Sequence, residues 1–168
     1  MRLSKRGEYA LRALIDLGIA QELGHTILKI ERIASSEKIP VKFLEQILSQ
    51  LRRAGYLQSY RGKNGGYSLN KPLREIVIGD VIRLVTGPLA PIACVSESAY
   101  RRCSCPDEDH CGLRLLMTDV RTAISSIVDR HTLADVVQVT LRKIRRDKVP
   151  VPFLSTEPPA LLAAKEIH

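Results

Sequence analysis

Apolar residues in the first half of the chain recur every three to four positions, broken at intervals by polar and glycine punctuation. Leu11, Leu14, Ile15 and Gly18 predict a helix from Ser4 to about Gln21, with Ser4 able to cap its first amides and Gly24 ending it. A shorter patch at Ile30, Ile33 and Ala34 predicts a second helix. After SSEKIP, Pro40 takes the first-turn position of a third, where its missing N–H costs nothing. In VKFLEQILSQLRRAG, the residues Val41, Leu44, Ile47, Leu48 and Leu51 form one apolar stripe, and Gly55 stops the helix.

The pattern then changes period. YLQSY and YSL have β propensity and flank RGKNGG, whose Asn64-Gly65-Gly66 is a strong hairpin signal. Three helices followed by a hairpin predict a winged helix-turn-helix. REIVIGDVIRLVTGPL reads as a short strand and a helix leading to Pro88. From Gly112 helical spacing returns in Leu113, Leu116, Val120, Ile124 and Ile127. Thr132 and Asp135 form a capping-box variant opening a further helix that ends in the basic LRKIRRDK. The expected organisation is a winged helix-turn-helix over 1–88, a cysteine-rich loop over 89–112, dimerisation and C-terminal helices over 113–148, and a Pro-rich mobile tail over 149–168. The fold class is mainly α with a small β wing.

Charge sharpens this picture. Residues 1–88 hold 15 Lys and Arg against 8 Asp and Glu, whereas 89–168 hold 11 against 10. Nearly all the excess of +8 thus lies on the helical half, which suits a polyanion. An amphipathic helix alone is usually core, and an Asn-Gly hairpin alone is usually a turn. Their order on the basic half points to duplex DNA, with the third helix sized for a major groove. No apolar run approaches the roughly 20 residues of a membrane span. The basic-then-apolar start is interrupted by Glu8, Arg12 and Asp16, whose spacing suits the wet face of a helix rather than a signal peptide. A cytoplasmic protein is expected.

Every cysteine lies in CVSESAYRRCSCPDEDHCG: Cys94, Cys103, Cys105 and Cys111. In a reducing compartment such a cluster is metal-binding or redox-active rather than a structural disulfide framework. The spacing C-x8-C-x-C-x5-C lacks the paired knuckles of structural zinc sites and the C-x2-C-x2-C run of bacterial ferredoxins. An iron–sulfur cluster, zinc and a thiol switch all remain open on these residues alone. A cysteine-nucleophile enzyme is not supported, because His25, His110, His131 and His168 are scattered without an orienting partner. The chain is read as a non-enzyme.

MRLSKRGEYALRAL, IPVKFLEQILSQLRRAGYLQSYRGKNGGYSL, CGLR and DRHTLADV together resemble the Rrf-type winged-helix transcription regulators, the IscR/NsrR-like iron–sulfur regulators among them. The resemblance covers about residues 1–148 and is most specific in the middle block. It implies a dimeric DNA-binding regulator, read as a repressor of a palindromic operator, that senses iron, redox state or nitric oxide. It also implies a 2Fe–2S or 4Fe–4S cluster held by three cysteines. Cys105 and Cys111 reproduce the family's last spacing and Cys94 fits the first place, with Cys103 the extra thiol; Cys103 in the middle place is the other assignment. Arg114 stands where some relatives carry a histidine ligand, and Glu8 matches a carboxylate that others supply from the partner subunit as fourth ligand. DNA contacts are implied for Pro40, Lys42 and Glu45 on the third helix and for Arg61 in the wing; Lys63 completes that set. Chemistry agrees: Glu45 can accept from cytosine N4, Lys42 can donate to guanine or phosphate, and Arg61 suits a narrow minor groove. The alternatives are a cluster-free regulator acting by thiol oxidation and a zinc-stabilised interaction module.

Overall fold

The computed structural model describes residues 3–151 and 153. Helix α1 (Lys5–Glu22) begins as predicted, with the Ser4 hydroxyl accepting from the Gly7 amide at 3.0 Å. It is the central rod. Ala10, Ala13, Leu14 and Leu17 are buried against Leu44, Ile47, Leu48 and Leu51, the apolar stripe of α3 (Val41–Arg53). Helix α2 (Ile30–Glu37) precedes α3, and Lys38 makes the turn between them in the left-handed region at φ 53°. Pro40 stands at the cap, one place before the first-turn position expected, because α3 starts at Val41.

Strands β1 (Leu57–Tyr60) and β2 (Gly66–Leu69) pair antiparallel, Leu57 opposite Leu69 and Tyr60 opposite Gly66. Five residues, Arg61 to Gly65, connect them, and Gly62 turns the chain at φ +95°. A reciprocal bridge fixes this wing to the body: Leu28 N donates to Tyr67 O at 3.0 Å and Tyr67 N to Leu28 O at 2.8 Å.

The strand expected near Ile76 is not formed. Leu73–Glu75 is one turn of 3-10 helix, and Val77 makes a single antiparallel bridge to Thr132. Thr132 is itself the cap of α6 (Leu133–Asp147), so its chain turns helical at once and the ladder cannot propagate. The capping box is present, with Thr132 N donating to Asp135 at 2.8 Å. Leu133, Val137 and Leu141 place α6 in the main core beside α1. A Cβ on Gly18 would come within 2.7 Å of Val137 and 2.9 Å of Leu73, so the close approach of α6 to α1 requires glycine there.

Asp16 departs from the wet face assigned to it. It is only 4% exposed, because α2 ends against that side of α1 and brings Glu37 to Arg12 and Asp16. Helix α4 (Ile78–Thr86) carries α5 (Gly112–Arg130) through a forked pair, Arg83 to Asp129 at 2.8 and 2.6 Å. No residue of α5 is buried in the single chain. Most of the Pro-rich tail lies outside the described residues.

Candidate metal centre and nucleic-acid interface

The apolar stripe of α3 faces α1, so Lys42 and Glu45 project from the opposite, exposed face, one turn behind the Pro40 cap. Phe43 between them is anchored edge-on to Tyr9, ring centroids 5.8 Å apart. Arg61 and Lys63 are exposed at the wing tip. Between the wing and the start of α2 lies an open cleft of about 740 Å³, lined by Lys29, Arg32, Arg61 and Lys63 with Glu31 as the one acid. Lys29 and Arg32 were not singled out in the sequence. They join the cleft because the Leu28–Tyr67 bridge brings the α2 start beside the wing.

The structure gathers the cysteines through the loop's own turns. Cys94 is buried in a 3-10 turn, Ala93–Val95, that rests on α5. Arg121 of α5 donates to Val95 O at 2.8 Å and pairs with Glu97 at 3.1 Å, fixing the loop's start. Cys111 caps α5. The Asp107 carboxylate accepts from the amides of Asp109 and His110 at 3.1 and 3.2 Å, turning the chain back toward Cys111. Cys103 and Cys105, half-buried free thiols, lie between.

The thiols influence one another in series. Cys94 is pushed up, first by desolvation and then by Cys103. Hydrogen bonding from Cys105 holds Cys103 below the usual thiol range. Contacts with Cys103 and Cys111 push Cys105 up to about 12. Cys103, the extra thiol of the sequence reading, thus sits between Cys94 and Cys105 rather than apart.

Glu108 is an addition. Ligand atoms of Cys94, Cys103 and Glu108 all lie within 4.8 Å of one another. Around a metal with bonds of about 2.3 Å, tetrahedral thiolates sit roughly 3.8 Å apart, so this spacing needs only small adjustment. A soft, thiol-rich donor set in one loop fits iron–sulfur or zinc chemistry. The only sequence signal for Glu108 was its place between Cys105 and Cys111.

Glu8 lies elsewhere. It pairs with Lys5 at 2.9 Å and Arg12 at 3.4 Å, and the Lys5 hydrogen bond holds its carboxyl below the ordinary range. It is not among the groups gathered around Cys94 in its own chain. His110 is turned outward, its Nδ1 2.7 Å from Asp107.

A family model described as "Rrf2: Iron-dependent Transcriptional regulator" matches residues 3–139. The chain is 39% identical over 137 residues to an rrf2-like helix-turn-helix regulator of Rhodobacter capsulatus, covering 80% of this chain and 91% of that one. It is 33% identical over 150 residues to the regulator NsrR of Geobacillus kaustophilus, covering 88% and 99%. Among solved structures it resembles CymR, the global cysteine regulator of Bacillus subtilis, with a TM-score of 0.68 and 29% identity over 83% of this chain and 98% of that one.

Proposed function

This chain belongs to the Rrf2 family of transcription regulators, and on that premise we propose that it is a homodimeric repressor whose operator affinity is set by an iron–sulfur cluster in the loop before α5. Transcription regulators of this fold bind DNA. The observation that carries the finer reading is the grouping of Cys94, Cys103 and Glu108 within 4.8 Å, with Cys105 hydrogen-bonded to Cys103 and Cys111, in one loop that rests on α5. Cys94, Cys105 and Cys111 are the proposed thiolate ligands, with Cys103 in reach of the same site. When bound, such a cluster supplies a redox- and nitric-oxide-sensitive centre whose loss removes the cross-link between the loop's two ends.

The protein's own residues provide the route from loop to DNA. Arg121 ties the Cys94 turn to α5, and Asp129 of α5 grips Arg83 of α4. At the end of α4, Leu84 O accepts from Gln50 of α3 at 2.8 Å, while Gln50 Oε1 accepts from Arg6 of α1 at 3.0 Å. A shift of α5 therefore reaches the DNA-reading helix through directed bonds. Lys42 and Glu45 read base edges in the major groove beside Pro40, and Arg61 and Lys63 bring the wing to the adjacent minor groove and phosphates.

Protein purified without oxygen is expected to be brown, with broad visible absorbance and matching iron and acid-labile sulfide. A colourless, folded protein holding stoichiometric zinc would reject the cluster. Single replacements of Cys94, Cys105 or Cys111 should each abolish the colour, and Cys103 should be the most tolerant position. The similarity to CymR and the hydrogen bond between the Cys103 and Cys105 thiols support a second reading, direct thiol oxidation. It requires an iron-free protein whose operator binding changes on oxidation and recovers with a dithiol reductant.

For the wing, Arg61→Ala should weaken operator binding by about 1–3 kcal/mol, most at A/T-rich flanks. Affinity should fall steeply with salt as phosphate contacts displace counterions. Equal binding of wild type and variant across sequences, measured by fluorescence anisotropy, would remove Arg61 from the interface.

A further inference from the structure

We infer that Glu108 is a protein ligand of the cluster, supplied by the same loop as the thiolates; this rests on the cluster reading above. Of the three acids in PDEDH, Asp107 and Asp109 have side chains 58% and 90% exposed, whereas that of Glu108 is 12% exposed and turned toward Cys94 and Cys103. An inward carboxylate is costly unless it is held. Tyr100 donates its phenol O–H to Glu108, 2.8 Å from Oε1 and 2.9 Å from Oε2, while Arg114 lies 3.6 Å from Oε1 and Arg102 4.0 Å from Oε2. Each carboxylate oxygen accepts at two positions, so these partners leave lone pairs facing the thiols.

Besides its ion pairs with Arg102 and Arg114, Glu108 keeps a carboxylate oxygen close to the Cys94 and Cys103 sulfurs. Two thiols and a carboxylate present three ligand atoms within 4.8 Å of one another, and a cation bound among them would favour their ionised, ligating forms. Within one chain the other candidate donors are engaged elsewhere: Glu8 pairs with Lys5 and Arg12 on α1, and the His110 side chain is 85% exposed and tied to Asp107. Arg114 acts as a positioning residue through Glu108.

The assignment has a chemical consequence. A carboxylate is a harder, weaker donor toward iron than a thiolate, which makes it the replaceable ligand. A recess of about 360 Å³, lined by Cys94, Tyr100, Glu108, Cys111, Arg114 and Arg121, opens beside the carboxylate and would leave room for a small diatomic effector next to it.

The test uses full-length protein purified without oxygen, comparing wild type with Glu108→Gln, Glu108→Cys and Glu8→Ala. Readouts are iron and sulfide content, visible circular dichroism, electron paramagnetic resonance of the reduced protein, and iron release to a ferrous chelator. Glu108→Gln should retain the far-ultraviolet spectrum and elution volume, alter the cluster spectra, and release iron at least about tenfold faster. Glu108→Cys should restore retention with a shifted, all-thiolate spectrum, and Glu8→Ala should match wild type. Wild-type spectra and release in Glu108→Gln, or the loss appearing in Glu8→Ala instead, would overturn the assignment while leaving the cluster intact. If Glu108→Gln does not fold, an unchanged spectrum in Glu108→Cys overturns it alone. A colourless, iron-free wild type overturns the cluster reading, and this assignment with it.

Discussion

Leu116→Asp is expected to yield a folded monomer that binds the operator at least about a hundredfold more weakly than wild type, a loss of about 2.7 kcal/mol or more. Leu113, Leu116, Val120, Ile124 and Ile127 form one stripe on α5, and Leu113, Leu116 and Ile127 are 56%, 56% and 52% exposed. A helix whose apolar face has no partner among the described residues of its own chain is suited to one outside it. The occupant proposed is the same stripe of a second copy, because a two-fold interface buries each residue twice and places the two reading heads on successive half-sites about 34–36 Å apart. Aspartate at position 116 then enters the interface twice, two like charges replacing two leucines. The core of α1, α3 and α6 does not use Leu116, so the unfolding midpoint of the isolated chain should hold. Light scattering and operator titration check this. A variant that remains a tight-binding dimer would place the interface elsewhere.

The sequence made this stripe legible, along with α1, α3, the wing and the Thr132–Asp135 box, because each is carried by local periodicity or by a fixed short offset. It did not reveal where a neighbour's end would fall. Asp16 shares the helical face of Glu8 and Arg12 and reads as wet, yet the last turn of α2 covers it. Val77 has strand propensity, but its only bridge partner among the described residues is a helix cap. In the sequence Glu108 is one of three adjacent acids with nothing to distinguish it, and only the folded loop separates it from Asp107 and Asp109. The Gln50 link between α4 and α1 leaves no periodic trace, since both its partners are more than thirty positions away. Apolar spacing reports which face is dry; it does not report which polar groups another element will enclose.

Asp16 also yields a prediction about pH. Burial, foremost, and the facing Glu37 carboxylate push its pKa up to about 8. Two ionised carboxylates have no donor between them, and Oδ2 of Asp16 is buried without a hydrogen-bond partner among the described residues. A proton on Asp16 supplies the missing donor, while Arg12 bonds the Glu37 side chain and, at 2.6 Å, its backbone carbonyl. In the unfolded chain Asp16 ionises near its ordinary value of 3.8, so between about pH 4 and pH 8 the folded state holds the extra proton. Stability must therefore fall as pH rises through that window and level off above it. Asp16→Asn keeps a donor toward Glu37 with no proton to lose. It should flatten the slope and stabilise the protein by about 1–3 kcal/mol above neutrality, the usual range for repairing a buried unpaired polar group. Denaturant unfolding at acid, neutral and alkaline pH reads both effects. Since Glu37 directly precedes the left-handed turn at Lys38 that aims α3, operator affinity should hold to higher pH in the variant. A variant less stable than wild type throughout would mean that Asp16 serves as a charged partner of Arg12, and that the proton is not there.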